Sequence, residues 1–230
     1  MMLFLTALLL IIAVGYPIWD YFYMKKVEQN LVNKQKLFIG IMTTQWLLVI
    51  IVFVFWVITH RSLNDLFFLD KPLFPFQFEF LLAAGLGIGI CIGMFTLILV
   101  FSKKLRKILS DALSDESIQF LLPSTIKERL LFLLVAITAG VCEEIIFRGV
   151  VVYYLNHLPF ELSVITIGIV SSLLFGIVHL YQGWKGVLLT TYLGAILFLL
   201  FVGTGFLWIP IVLHIIIDAK FVFLPNKKMP

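Results

Sequence analysis

Long apolar stretches, separated by short polar connections, run along almost the whole chain. Each is close in length to the roughly 20 residues that a helix needs to cross the hydrocarbon core of a bilayer. The candidate spans are residues 2–19, 37–59, 80–101, 130–155, 163–181, 186–203 and 206–224. This pattern predicts an all-α fold, a polytopic transmembrane helical bundle of about seven spans that forms a single integral membrane domain over residues 1–230.

Composition agrees with the hydrophobic pattern. The chain is 62% hydrophobic and 13% charged, and its mean hydropathy is +1.10. Soluble domains are about one quarter charged, so an ordinary soluble globule is excluded. Two cysteines, Cys91 and Cys142, lie inside apolar stretches and give neither a disulfide framework nor a metal-binding motif. A net charge of +4 does not indicate nucleic acid, because the basic residues lie between the apolar stretches.

The basic residues also predict the orientation of the chain. Fourteen lysines and arginines fall in one set of alternate connections, and two, Arg61 and Lys71, fall in the other. Because cytoplasmic loops carry the excess of basic residues, we expect a multi-pass protein of the cell membrane with its N-terminus outside and its C-terminus in the cytoplasm. The connection 102–128 is expected to form either an amphipathic helix at the membrane surface or a solvated loop.

Ionisable residues inside the apolar stretches are few, and they occur in only three of the seven. They are Glu143, Glu144 and Arg148 in the fourth stretch, His179 in the fifth, and His214 and Asp218 in the seventh. Lys220 lies near the end of the seventh stretch, and every other acid, base and histidine is expected in a loop or at a helix edge. A charged group at the centre of a bilayer costs at least about 2.5 kcal/mol, so such groups mark a functional site by default. The alternative is that they only lock the helices together.

Helical spacing suggests how these side chains pair. Glu144 and Arg148 are four residues apart and therefore share a helix face, as do His214 and Asp218. Glu143 is turned about 100° away from Glu144, so it is free to face other helices as a general base. With His179 added, a base, two imidazoles and an orienting acid are expected to converge on one water molecule.

These residues form three motifs in a fixed order. Glu143-Glu144-Ile-Ile-Phe-Arg148, Phe175-Gly-Ile-Val-His179 and His214-Ile-Ile-Ile-Asp218 resemble the EExxxR, FxxxH and HxxxN/D motifs of the CAAX-protease and bacteriocin-processing family (CPBP, or Abi). The resemblance covers about residues 125–224, which would be the catalytic core. It implies an intramembrane protease that hydrolyses a peptide bond of a membrane-associated peptide or protein.

The same resemblance implies roles for individual residues. Glu143 and His179 would activate the attacking water, and His214 and Asp218 would stabilise the oxyanion. Glu144, Arg148 and Phe175 would support the site. Asp218 stands where the prenyl-protease branch of the family has asparagine, and an ionised aspartate would oppose a developing negative charge. This difference argues against a prenylated substrate more than against proteolysis. Asp218 would instead hold His214 as an imidazolium, which would then donate the hydrogen bond to the oxyanion.

Cofactor and partner expectations follow from the same residues. No cofactor is expected, although a zinc ion stays open because glutamate, histidine and aspartate are zinc ligands; the HExxH motif is absent. Expected partners are a membrane-bound peptide or protein and the lipid bilayer, without nucleic acid. Two alternatives to a protease remain at this point: a non-catalytic membrane immunity or peptide-binding protein, and a proton-coupled transporter.

Overall fold

The computed structural model describes residues 2–29, 33–69, 78–112 and 121–224, and these residues form helices joined by short connections. Helix α1 runs through Met2–Leu10, a π-helical turn at Ile11–Gly15, and Tyr16–Glu28. It is followed by α2 (Lys34–Ile58), α3 (Asn64–Phe67), α4 (Phe78–Phe101) and α5 (Lys103–Ala112). Helix α6 joins Ile126–Glu144, a π-helical segment at Ile145–Val150, and Val151–Asn156. The last three helices are α7 (Val164–Ile177), α8 (Gly183–Thr204) and α9 (Trp208–Ala219).

All seven predicted apolar stretches are helical, so the all-α fold class is confirmed. Among the described residues, four helices are long and apolar enough to cross a membrane, namely Leu3–Val27, Lys34–Ile58, Ile126–Asn156 and Leu180–Thr204. Val164–Ile177 is a shorter apolar helix. These helices fit a multi-pass membrane protein, whereas the count of seven crossings, the orientation of the termini and the single domain over residues 1–230 stay predictions.

The first helix is longer than the sequence pattern predicted. The apolar stretch was expected to end at residue 19 because Asp20 is its first charged residue, but α1 continues to Glu28. Lys25 and Lys26 lie in the last turn, where cations stabilise the negative end of the helix dipole. Asp20 is therefore inside a helix, and only 3% of it is exposed. The expectation that acids outside the three motif-bearing stretches lie in loops or at helix edges was wrong for this residue.

Helix α7, in contrast, ends before the predicted residue 181. Its last residue is Ile177, and a 3-10 turn at Leu180–Gln182 follows. Gly183 then has a φ of 76°, a conformation that glycine adopts without steric cost, and starts α8 directly. His179 consequently lies in the connection just beyond the helix rather than inside it, which corrects its predicted position within the span.

Helix α6 is the central element and carries the first motif. Thr125 caps its N-terminus by accepting a hydrogen bond from the Glu128 backbone N–H, and the Glu128 carboxylate accepts one from the Ser124 N–H. The helix packs against α2 on one side and α9 on the other. A Cβ on Gly140 would lie 3.0 Å from the backbone nitrogen of Ile215, so α6 and α9 approach to backbone contact. This close approach brings the first and third motifs together.

Only part of the connection 102–128 lies within the described residues. Its first part forms α5, and Thr125 caps the start of α6. The prediction of a helix is confirmed for residues 103–112, while residues 113–120 lie outside the part of the chain that the structure describes.

Candidate active site

The four predicted catalytic residues lie along one large cavity inside the bundle. The cavity has a volume of about 1390 Å³, and its walls are mainly apolar. Glu143, His179, His214 and Asp218 all contribute to these walls. The structure thus brings together, from α6, the α7–α8 connection and α9, residues that are far apart in the sequence.

Glu144 does not line the cavity and is completely buried. We call this side of the site, with Glu144 and Arg148, the closed side, and the side of Glu143 and His179, which lines the cavity, the open side. Oε1 of Glu144 accepts a hydrogen bond from Nη1 of Arg148 at 2.7 Å and another from Nδ1 of His214 at 2.8 Å. The predicted pairing of Glu144 with Arg148 is therefore present, and Glu144 also joins α6 to α9. Arg148 belongs to the π-helical segment Ile145–Val150, and π-helical turns inside α-helices often occur at functional sites.

Two further contacts hold Arg148. Its Nη2 donates to the carbonyl oxygen of Gly194 at 2.9 Å, and its guanidinium lies 4.4 Å from the centre of the Phe175 ring. A Cβ on Gly194 would lie 3.3 Å from the Ser172 Cα and 3.4 Å from Arg148 Nη2. The absence of a side chain at Gly194 therefore lets α7, α8 and the guanidinium meet closely.

Phe175 is the common neighbour of the charged and imidazole groups. Its ring lies 5.7 Å from the His214 ring and 4.9 Å from the His179 ring, in addition to the Arg148 contact. Only 1% of this residue is exposed. An aromatic ring at this position separates the guanidinium from the two imidazoles and excludes water from between them, without competing for their hydrogen bonds.

Glu143 faces the cavity, away from the Glu144 side. Its Oε1 accepts a hydrogen bond from Nε2 of Gln45 on α2 at 2.8 Å. Its Oε2 has no hydrogen-bond partner among the described residues and lies 3.8 Å from Nε2 of His179. The neighbouring carboxylates Glu143 and Glu144 thus have different partners, as their positions on the helix predicted.

The hydrogen bond of His179 determines which of its ring nitrogens faces Glu143. Nδ1 lies 2.7 Å from the carbonyl oxygen of Phe175, one of the last carbonyls of α7. Since a carbonyl oxygen only accepts, Nδ1 carries the proton, and the ring caps the end of the helix. In the neutral ring, Nε2 then carries a lone pair and points toward Glu143.

The neighbours of the two ring nitrogens of His214 likewise fix its orientation. Its Nδ1 donates to the Glu144 carboxylate, while its Nε2 lies 3.6 Å from Oδ2 of Asp218 on the same helix. His214 is 3% exposed, whereas the side chain of Asp218 is 29% exposed at the cavity wall. The second nitrogen of His214 is therefore available beside the cavity, with Asp218 next to it.

Three residues near the site were not singled out from the sequence. Gln45 bonds to Glu143, the carbonyl of Gly194 receives Arg148, and Asp20 lines the cavity from α1. A signal existed for Gln45, because Thr43, Thr44 and Gln45 form a polar group inside the apolar stretch 37–59. No signal marked Gly194, because its contribution comes from the backbone.

The donor set does not fit a zinc site. Within the described part of the chain, no three histidine, cysteine, aspartate or glutamate side chains are close enough together to hold one metal ion. Nδ1 of each imidazole is bonded to Phe175 or to Glu144, which leaves only Nε2 of each ring as a possible metal donor.

Comparison with known proteins gives a match to a family model. Residues 125–219 match the family model described as type II CAAX prenyl endopeptidase Rce1-like. The match contains all three motifs. Through this region, which is less than half of the chain, the protein is similar to the CAAX-type endopeptidases, in agreement with the resemblance of its motifs. No curated protein and no solved structure matches the chain significantly.

Proposed function

We propose that this protein is an intramembrane endopeptidase in which Glu143 and His179 activate a water molecule for attack on a peptide bond. The observation that carries the proposal is the pair formed by Glu143 Oε2 and His179 Nε2, which lie 3.8 Å apart at the cavity wall. The similarity of residues 125–219 to a protease family supports it.

The separation of the two atoms suits a bridging water. It is too long for a direct hydrogen bond, but a water about 2.8 Å from each atom could donate one hydrogen to Glu143 and the other to His179. Both atoms are acceptors, because the carboxylate oxygen has a lone pair and Nε2 is the unprotonated nitrogen of the ring. A water held by two acceptors keeps its own lone pairs free to attack a carbonyl carbon.

The reaction then proceeds in two proton transfers. Glu143 takes a proton from the water as its oxygen bonds to the carbonyl carbon, which leaves a tetrahedral oxyanion. His214 donates to this oxyanion from Nε2, while its Nδ1 stays bonded to Glu144 and Asp218 balances the charge of the doubly protonated ring. Glu143 finally returns the proton to the amine as the carbon–nitrogen bond breaks.

The cavity supports a peptide as the substrate class. Its volume of about 1390 Å³ exceeds the 300–1,000 Å³ of common small-molecule pockets. The mainly apolar wall fits an extended hydrophobic segment of a membrane-associated peptide or protein. Because an aspartate, Asp218, occupies the asparagine position of the prenyl-protease motif, we propose a substrate that does not carry a prenyl group.

The test compares the termini of membrane proteins by mass spectrometry in cells that express the wild-type protein or the Glu143→Gln variant at matched levels. A new terminus that appears only with the wild-type protein is expected, and it identifies the substrate. Glu161→Gln is the matched control, since Glu161 is exposed in the α6–α7 connection and should behave as wild type.

Purified protein completes the test. Cleavage of the identified substrate is expected to continue in the presence of a chelator, because no step uses a metal. Loss of cleavage on chelation, restored by added zinc, would contradict the mechanism. Identical termini in cells with wild-type and Glu143→Gln protein would contradict proteolysis and favour a peptide-binding protein.

A further inference from the structure

Asp20 is a buried carboxylate on the cavity wall that the proposed mechanism does not use. It lies on α1, outside the residues that match the protease family, and is 3% exposed. It lines the same cavity as Glu143 and interacts with Glu143 electrostatically. The first helix therefore places a third acidic group, besides Glu143 and Asp218, around the space where a substrate would lie.

Unlike the other two, Asp20 has no partner within the described part of the chain. Glu143 accepts a hydrogen bond from Gln45, and Asp218 lies beside His214. Asp20 has neither a hydrogen bond nor an ion pair among the described residues, and its electrostatic neighbours there are acids or phenols such as Tyr16 and Tyr181. A carboxylate removed from water without a hydrogen bond or a cation is unfavourable.

The basic residues in and beside the cavity interact with groups other than Asp20. Lys220 interacts electrostatically with Asp218, and Lys185 is exposed, with its ammonium 5.9 Å from the Trp184 ring. Arg148 is committed to Glu144 and Gly194. Neither cavity lysine pairs with Asp20, so the cavity wall is electrostatically complementary to a positive group from outside.

We propose that Asp20 binds a cationic group of the substrate, a lysine or arginine side chain or a free amine, and thereby sets the register of the peptide relative to Glu143. This inference rests on the proposed function, since it assumes that the peptide occupies this cavity. It assigns the substrate a class, a hydrophobic peptide with one positive group at a defined distance from the cleaved bond.

The test measures peptide binding by the full-length Glu143→Gln protein in detergent micelles. The probes are short acetylated and amidated peptides of leucine and alanine that carry a neutral fluorophore and a single lysine, moved through each position in turn. Each has a matched peptide with norleucine, which keeps the aliphatic stem of lysine and lacks its charge. At one position the lysine peptide is expected to bind at least about tenfold more tightly than its norleucine partner.

Variants at Asp20 then locate the effect. With Asp20→Asn added, the preference is expected to fall below about twofold, and Asp20→Glu is expected to keep it. Asp65→Asn, which removes a carboxylate from an exposed position on α3, serves as the matched control and should leave the preference unchanged. A preference that survives Asp20→Asn, or no lysine preference at any position in the parent protein, would overturn the proposal.

Binding and cleavage separate this inference from the proposed function. Lysine-dependent binding without cleavage by the wild-type protein would refute proteolysis and support the role of Asp20. Cleavage of lysine and norleucine peptides at equal rates, with equal affinities, would support proteolysis and refute the role of Asp20.

Discussion

Glu143 and Glu144 are adjacent in the chain, but they lie in two different environments. Glu144 is on the closed side, where it is completely buried and binds Arg148 and His214 at 2.7 and 2.8 Å. Glu143 is on the open side, where its side chain is 16% exposed and its Oε2 lies 3.8 Å from His179. Short bonds on one side and longer separations on the other distinguish a tightly bonded structural side, the scaffold, from a side that faces the cavity.

The two environments show how a helix of a membrane protein can carry several ionisable groups and still keep the bundle folded. The closed side neutralises charge with charge and provides hydrogen bonds to Glu144 Oε1 and to both Nη atoms of Arg148, while Glu144 Oε2 and Arg148 Nε have no partner among the described residues. The open side leaves room for a ligand to complete the interactions. Substitutions on the closed side should therefore lower stability, and substitutions on the open side should lower reactivity.

The largest effect is expected at Glu143. Glu143→Gln should lower kcat/KM by about 10²–10⁴-fold, because the amide cannot take the proton of the water. The midpoint of thermal unfolding should change little, since the amide oxygen of the new side chain can still accept the hydrogen bond from Gln45. Initial cleavage rates and thermal unfolding in detergent check both parts. A large fall in thermal stability would show that Glu143 belongs to the scaffold.

Arg148 should give the opposite result. Arg148→Leu leaves Glu144 buried without its cation and should lower the free energy of unfolding by about 3–5 kcal/mol. Denaturant titration of the purified protein, or its accumulation in membranes, measures the loss. Lys107→Leu removes an exposed basic side chain on α5 and is the control. Equal stability of the Arg148→Leu and control variants would contradict a scaffold role.

A smaller loss of stability is expected at Gly194. Gly194→Ala places a Cβ 3.2 Å from Phe175 Cδ1 and 3.3 Å from Ser172 Cα, which should cost about 1–3 kcal/mol through overpacking. Gly87→Ala on α4 is the matched control, because no atom of the described residues lies within 4 Å of its Cβ position. Thermal unfolding of the two variants should therefore shift in different directions, since alanine in an open helical position favours the helix.

Gln45 should show the smallest effect, confined to the open side. Gln45→Leu removes one hydrogen bond to Glu143 and should lower kcat about tenfold, with thermal stability close to that of the wild-type protein. Thr43→Val on the same helix is the control, because the Thr43 hydroxyl bonds only to the Ile39 carbonyl among the described residues. A fall in stability with unchanged kcat would assign Gln45 to the scaffold instead.

The sequence was enough to predict the features that depend on residues within a single helix. Apolar stretches of membrane-spanning length were enough to locate the helices, and the four-residue spacing of Glu144 and Arg148 was enough to predict their ion pair. The motifs also identified the region that matches the protease family. These features are local, so they can be read from residue types and spacing.

Features that depend on how helices meet were missed. Asp20 was assigned to a helix edge because a charge normally ends an apolar stretch, yet the cavity accommodates it. The pairing of Glu144 with His214 across helices requires the close approach at Gly140, which spacing along the chain does not reveal. His179 lies outside its predicted helix because α7 ends at Ile177 and a 3-10 turn follows, although the sequence stays apolar up to Leu180.

The hydrogen bond from His179 to the end of α7 links chemistry to folding. If the ring flipped to present Nδ1 to Glu143, the Phe175 carbonyl would lose its cap. That loss is worth about 0.5–1.5 kcal/mol, or roughly a twofold to twelvefold bias in population. The C-terminal end of α7 therefore fixes the tautomer of His179. Fraying of this helix end would change the basicity of Nε2, the ring nitrogen that points toward Glu143.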